Sequence, residues 1–312
     1  MVDKNESSRL ISHDPYTEHS IQSAIEGIKA RMSDKADVPV AARDEQLGLV
    51  DQLAAFELGR FLLVNHGLDA AWTHRLVTYE PGSAASGTLS ELEYVVFEEL
   101  PAVLATRERF NIFRRELQAR LTPDSVLASV PCGWMGDLLT LDYRACAEVK
   151  LIGVDLDPAA LEGAQKLAAR CGVSQPIALY RANAWGLKLS EPVDLLTSNG
   201  LNIYEPDSER VTLLYRNFFA SLKPGGYLVT SFLTPPPSLS SDSSWNMATI
   251  DHTLLALQQV LFTQVIEAKW STFRTHAQTS AQLESAGFEN IIFFDDRFGM
   301  FPTVVAQKPQ SA

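Results

Sequence analysis

Val126-Leu127-Ala128-Ser129-Val130-Pro131-Cys132-Gly133-Trp134-Met135-Gly136-Asp137 and, a little further on, Val149-Lys150-Leu151-Ile152-Gly153-Val154-Asp155-Leu156-Asp157-Pro158 decide how this chain is read. An apolar run enters a glycine-containing turn, and a second apolar run ends in an acid. In a strand–turn–helix–strand unit the small turn lets backbone approach a ligand, and the acid closing the next strand accepts hydrogen bonds from two ribose hydroxyls. The pattern points to a nucleoside cofactor, with Asp155 as its principal contact. The plainer alternative is that Asp155 is only a solvated strand end.

Working outward, Arg181-Ala182-Asn183-Ala184-Trp185 follows a third apolar run, and Val193-Asp194-Leu195-Leu196-Thr197-Ser198-Asn199-Gly200 reads as a fourth. Leu222-Lys223-Pro224-Gly225-Gly226 then precedes a fifth, Tyr227 to Phe232. A lysine suits a helix end, proline stops the helix, and two glycines permit the turn. Ala286-Gly287-Phe288-Glu289 breaks a helix before Ile291-Ile292-Phe293-Phe294, and Thr303-Val304-Val305-Ala306 supplies a last strand.

In this order and spacing the segments, from about Leu121 to Lys308, resemble the class I S-adenosylmethionine-dependent methyltransferases. The resemblance implies an α/β, Rossmann-like, mostly parallel seven-stranded sheet with an antiparallel terminal hairpin, preceded here by an all-helical N-terminal region. It implies a helical extension or cap over 1–121, a cofactor domain over 122–312, and S-adenosylmethionine as cofactor. The implied cofactor residues are Ser129, Pro131, Cys132, Gly133, Asp155, Leu156, Asn183, Ala184, Trp185 and Asn199. The chain departs from the family at the first turn: Ser129 stands where an acid is usual, Pro131 replaces the first glycine, and Gly136 falls one residue late. Pro131 removes an N–H but fixes the turn, while Gly133 still permits close approach.

The acceptor side is read from position. Open parallel sheets bind ligands beyond the carboxyl ends of their strands, so Asn202 and Tyr204, after the fourth strand, join Asn199 as candidates, with stabilising a turn as the alternative for those two. His74, Arg75 and Tyr79 lie next to the Pro81–Gly87 loop in the helical extension, where such families often close over substrate; facing water or packing in the core are their alternatives.

That extension is read as helices at Ser20–Met32, Arg43–Val64, Leu68–Tyr79, Ser90–Leu100 and Pro101–Leu121, with an otherwise polar arm over residues 1–40. Thr234-Pro235-Pro236-Pro237 opens a surface connection before a helix striped by Ile250, Leu254, Leu257 and Leu261; the stripe reads first as core, and second, with Trp245, Met247 and Trp270, as an apolar wall for an acceptor.

The chain has 312 residues, of which 46% are hydrophobic, enough for a sizeable core. Its net charge of −12 argues against broad nucleic-acid binding and favours a small-molecule acceptor, with a hydrophobic one among the candidates from the apolar segment above. Cys132, Cys146 and Cys171 show neither disulfide nor zinc spacing, and no metal is expected. Without a leader or an apolar stretch long enough for a bilayer, a cytoplasmic protein is expected, with room for a homo-oligomer. The expected activity is methyl transfer. A non-catalytic scaffold on the same fold stays open, because loss of cofactor would degrade the glycine motif, and a nicotinamide-dependent oxidoreductase stays open more distantly.

Overall fold

The computed structural model describes residues 18–33, 40–85, 87–146 and 148–310. They form two compact units: Ala105–Met247 with the described part of Ser271–Ala312, and the described part of Ile11–Leu104 with Ala248–Trp270. The arm expected before the first helix falls mostly outside the described residues.

The helical unit begins with α1 (Glu18–Ser33), α2 (Val40–Ala54), α3 (Glu57–Asn65), α4 (Ala70–Val77) and α5 (Glu91–Glu98). The single helix expected over 43–64 is in fact α2 and α3. Its apolar period runs through the break, but the backbone does not: Phe56 turns extended (φ −129°, ψ 159°) and restarts the helix as its N-cap. Gly59 makes the bend feasible, since a Cβ there would stand 2.0 Å from the Leu53 carbonyl oxygen. The bend buries both Leu53 and Phe56. Ser90 and Glu93 form a reciprocal capping box at the start of α5.

Helix α6 (Pro101–Gln118) carries the chain across the division between the units. Seven strands follow in the second unit: β1 (Val126–Ser129), β2 (Lys150–Asp155), β3 (Ile177–Arg181), β4 (Val193–Ser198), β5 (Leu222–Ser231), β6 (Glu289–Phe294) and β7 (Thr303–Gln307). Their order across the sheet is β3-β2-β1-β4-β5-β7-β6. All neighbours are parallel except β7, which runs antiparallel to β5 and β6. The expected fold class, including the terminal hairpin, is the observed one.

Between β1 and β2 lies the short α7 (Gly136–Leu139), and α8 (Pro158–Cys171) links β2 to β3. Helix α8 has defined ends: the Asp157 carboxylate accepts from Ala159 N at 2.9 Å, Pro158 opens the first turn, and Gly172 closes it in the left-handed region. Helix α9 (Ser208–Ser221) precedes β5.

The Leu-Lys-Pro-Gly-Gly segment departs from the expected helix-to-strand turn. Leu222 already pairs with Val193, and pairing resumes at Leu195 with Tyr227, so Lys223–Gly226 bulges from inside β5. Lys223 does not serve the helix end. Its ammonium reaches the Asp194 carboxylate at 2.7 Å, and the same oxygen accepts from Val126 N, at the start of β1, at 2.8 Å.

Helix α10 (His252–Gln259) and a π-helical stretch, Val260–Val265, belong to the helical unit. Leu261, Val265 and Ile266 enter its core with Met32, Val50, Leu53 and Leu63. The apolar stripe there is core. Helix α11 (His276–Ser285) returns the chain to the sheet and the β6–β7 hairpin.

Candidate cofactor and acceptor site

Strand β1 lies between β2 and β4, so connections leave it toward opposite sides and open a crevice at its carboxyl end. The turn after β1 is strapped to both neighbours: Val130 N donates to Thr197 O in β4 at 2.9 Å, and Cys132 N donates to Val154 O in β2 at 2.8 Å. Gly133 has φ +51° and donates its N–H to Asp155 Oδ2 at 2.8 Å. Asp155 Oδ1 accepts from Asp157 N at 2.9 Å. One carboxylate therefore fixes the glycine turn and the entry to α8. These two bonds leave lone pairs on both oxygens. The half-buried Asp155 thus retains acceptor capacity for a diol, and in that respect the residues fit a ribose.

Burial raises the Asp155 carboxyl above its ordinary value, while the N–H groups of Asp157 and Gly133 pull it back down. Burial also pushes the Cys132 thiol well up, with Asp155 and Asp137 adding to the effect. Cys132 is a small, protonated turn residue.

Close packing holds the turn down. A Cβ on Gly153 would stand 2.7 Å from Leu179 Cδ2 and 3.2 Å from both sulfurs, Cys132 Sγ and Met135 Sδ. A Cβ on Gly163 of α8 would stand 2.0 Å from the Trp134 indole nitrogen.

Asp137 was not singled out from the sequence. It lies buried in α7, and Ser129 Oγ donates to its two carboxylate oxygens at 3.2 and 3.4 Å. A carboxylate thus returns to the end of β1, where Ser129 replaces the usual acid. Burial raises the Asp137 carboxyl, against the hydroxyls of Thr197 and Ser129. The available signal was an acid in the first turn of the helix after the glycine turn.

At β3, Arg181 Nε donates to Leu156 O at 3.2 Å and Ala182 N to Asp155 O at 3.0 Å, which sets Leu156 and the Asn183 turn beside Asp155. Asn183 Oδ1 caps the short turn Ala184–Gly186 by accepting from Trp185 N at 3.0 Å. Ala184 is buried, and Trp185 packs against the sheet core with the Arg210 guanidinium 5.1 Å from its ring centre.

After β4, Asn199 Oδ1 accepts from Ser231 Oγ at 3.3 Å. The Asn202 amide donates to Tyr215 Oη and Ser231 O at 2.8 and 2.9 Å, and Arg274 grips Asn202 O and Glu205 O at 2.9 and 2.6 Å. These bonds secure the turn Leu201–Tyr204. The Tyr204 phenol is pushed up to about 12 by burial, with Arg109 pulling the other way.

His74, Arg75 and Tyr79 lie in the helical unit. Arg75 sits 4.8 Å from the Trp72 ring centre and 3.5 Å from the Glu57 carboxylate, and Tyr79 Oη donates to Glu98 at 2.6 Å. Among the described residues no group of three or more His, Cys, Asp or Glu is placed to hold a metal, and no helix is long and apolar enough to cross a membrane.

Strand order, the switch-point turn and the acid closing β2 together define a Rossmann-like methyltransferase fold. Residues 129–226 match a family model described as a methyltransferase domain. A Bordetella parapertussis protein of solved structure, described as a possible exported protein, is 54% identical; the alignment covers 98% of this chain and 99% of that one, with a TM-score of 0.87. The S-adenosylmethionine-dependent methyltransferase SibL, in its apo form, is 16% identical over 86% of this chain and 76% of its own, with a TM-score of 0.52, a likeness of fold. No curated protein matches the chain. The chain thus carries a methyltransferase domain, and its sheet unit has the fold of the S-adenosylmethionine-dependent methyltransferases.

Proposed function

We propose that the protein transfers the methyl group of S-adenosylmethionine to a small or medium-sized acceptor, with an apolar body among the candidates. The observation that carries this reading is the Asp155 carboxylate, which fixes Gly133 and Asp157 and retains acceptor capacity. Bound S-adenosylmethionine supplies an electrophilic methyl group on a sulfonium. In this reading Asp155 takes the ribose hydroxyls and Leu156 borders the same end. The Asn183-Ala184-Trp185 turn flanks the base, and Ser129, Pro131, Cys132 and Gly133 shape the backbone beneath the methionyl part. Asn199 orients the amino-acid end or the acceptor, with Asn202 and Tyr204 on the acceptor side. The protein's task is to align acceptor atom, methyl carbon and sulfur and to exclude water. A base is required only for an acceptor that binds protonated.

The helical extension, with His74, Arg75 and Tyr79, is proposed to govern acceptor choice. Residence in the cytoplasm is supported by the three free cysteines, two of them buried. The Bordetella relative's description as a possible exported protein points the other way, and cell fractionation decides between them. Light scattering would report whether the chain forms a homo-oligomer.

Calorimetric titration with S-adenosylmethionine and S-adenosylhomocysteine, with NAD as control, tests the reading. Micromolar binding of both sulfur nucleosides, lost in Asp155→Ala, is expected. Binding of neither would favour a non-catalytic scaffold, and binding of NAD alone an oxidoreductase.

A further inference from the structure

Several arginines of α6 and its C-terminal end have partners. Arg114 donates to Thr140 O at 2.7 Å, while Arg115 and Arg120 both reach Glu116. Arg109 differs. It is 5% exposed, and among the described residues it makes no ion pair within 4.0 Å and no hydrogen bond; its Nε is wholly covered and unpartnered. Its guanidinium carbon lies 5.1 Å from the ring centre of Phe301, a contact that occupies none of its N–H groups with an acceptor. The nearby Asp296 carboxylate makes no ion pair with it within 4.0 Å and is turned to the backbone of its own loop: Oδ1 accepts from Phe298 N at 2.9 Å and Oδ2 from Phe301 N at 2.6 Å. Burial lowers the Arg109 guanidinium to about 10, with Asp296 and Tyr204 opposing.

A buried cation without a partner is expensive, and proteins retain such a group where something else completes it. We infer that Arg109 is a carboxylate receptor: its guanidinium edge takes the carboxylate of a bound small molecule in a two-point contact. That geometry matches the planar N–H fork of arginine, and a lysine point charge would reproduce it only in part. The Tyr204 phenol, which Arg109 pulls against burial, lies near the guanidinium. Neighbours from the segment after β4 and the loop before β7 put the receptor on the side read as the acceptor's. The cofactor's methionyl carboxylate is the other source of the same chemistry. The inference rests on the proposed methyl transfer only for the identity of the ligand that brings the carboxylate.

Arg109→Met and Arg109→Lys would be titrated against matched probes. S-adenosylhomocysteine is paired with 5′-methylthioadenosine, which lacks the carboxylate, and benzoate with benzamide. The expected result is that Arg109→Met loses at least tenfold in affinity for one carboxylate probe and under twofold for its neutral partner, with partial recovery in Arg109→Lys. Loss on the S-adenosylhomocysteine arm assigns the carboxylate to the cofactor, and loss on the benzoate arm assigns it to the acceptor. Free Arg109→Met should unfold no earlier than the parent, because an uncompensated buried charge has been removed. Unchanged probe ratios on both arms, or earlier unfolding of Arg109→Met with those ratios unchanged, would overturn the inference. If neither nucleoside binds the parent protein, the methyl-transfer reading fails, and the benzoate pair still reports on Arg109.

Discussion

Replacing Gly163 with alanine tests the packing that holds the cofactor turn in place. The new Cβ would stand 2.0 Å from Trp134 Nε1, 2.4 Å from Cδ1 and 2.5 Å from Cε2. Non-bonded heavy atoms settle at about 3.5–4.0 Å, so the indole edge must retreat by roughly 1.5 Å. Overpacking of this kind costs about 1–3 kcal/mol. Against it stands the helix preference for alanine over glycine, about 1 kcal/mol in the interior of α8. The balance is a net loss of about 1 kcal/mol, where an uncrowded helix glycine would have given a gain of about that size. In a Trp134→Leu background the obstruction is reduced and the gain should reappear, so a double-mutant cycle should show a coupling of about 2 kcal/mol. Urea unfolding of the four proteins, followed by far-ultraviolet circular dichroism, measures it. Because Trp134 follows Gly133 directly, Gly163→Ala should also weaken S-adenosylhomocysteine binding. A stabilising Gly163→Ala with coupling below about 0.5 kcal/mol would refute the packing argument.

Burial raises the Asp137 carboxyl above its ordinary 3.8. Such a group favours the folded state below the unfolded value, and that contribution is lost as pH rises through the folded value. Asp137→Asn should therefore be more stable than the parent at neutral pH, with the advantage shrinking as pH falls toward 3.8; thermal unfolding across pH checks this, and a constant difference would contradict it. Asp194→Ala should cost about 1–3 kcal/mol by stranding Val126 N–H, whereas Lys223→Met, which breaks only the partly exposed ion pair, should cost at most about 1 kcal/mol. Equal losses in the two variants, read by chemical denaturation, would show that the ion pair and not the backbone bond matters.

The sheet was legible because its signals are local and repeat: apolar runs of strand length, breaks at Gly133 and Gly287, and an acid closing β2. What escaped depends on contacts distant in sequence. The break between α2 and α3 leaves no mark in the apolar period, since Gly59 bends the chain by fitting against Leu53, and glycine alone does not announce its neighbour. The bulge in β5 looks like a turn until its register with Val193 and Leu195 is known. Asp155 announced itself by ending a strand. Asp137 did not, because its relation to Ser129 exists only once α7 folds back on β1. Arg109 sits among other arginines on one helix, and only burial and the absence of a partner separate it from them.

A crystal structure of the protein grown with S-adenosylhomocysteine tests the central claim most directly. The account predicts the ligand at the carboxyl ends of β1 and β2, with both ribose hydroxyls on Asp155 and the base beside Asn183–Trp185. Density for the nucleoside elsewhere, or an Asp155 carboxylate that touches only Gly133 and Asp157 while the ligand is bound, would contradict it.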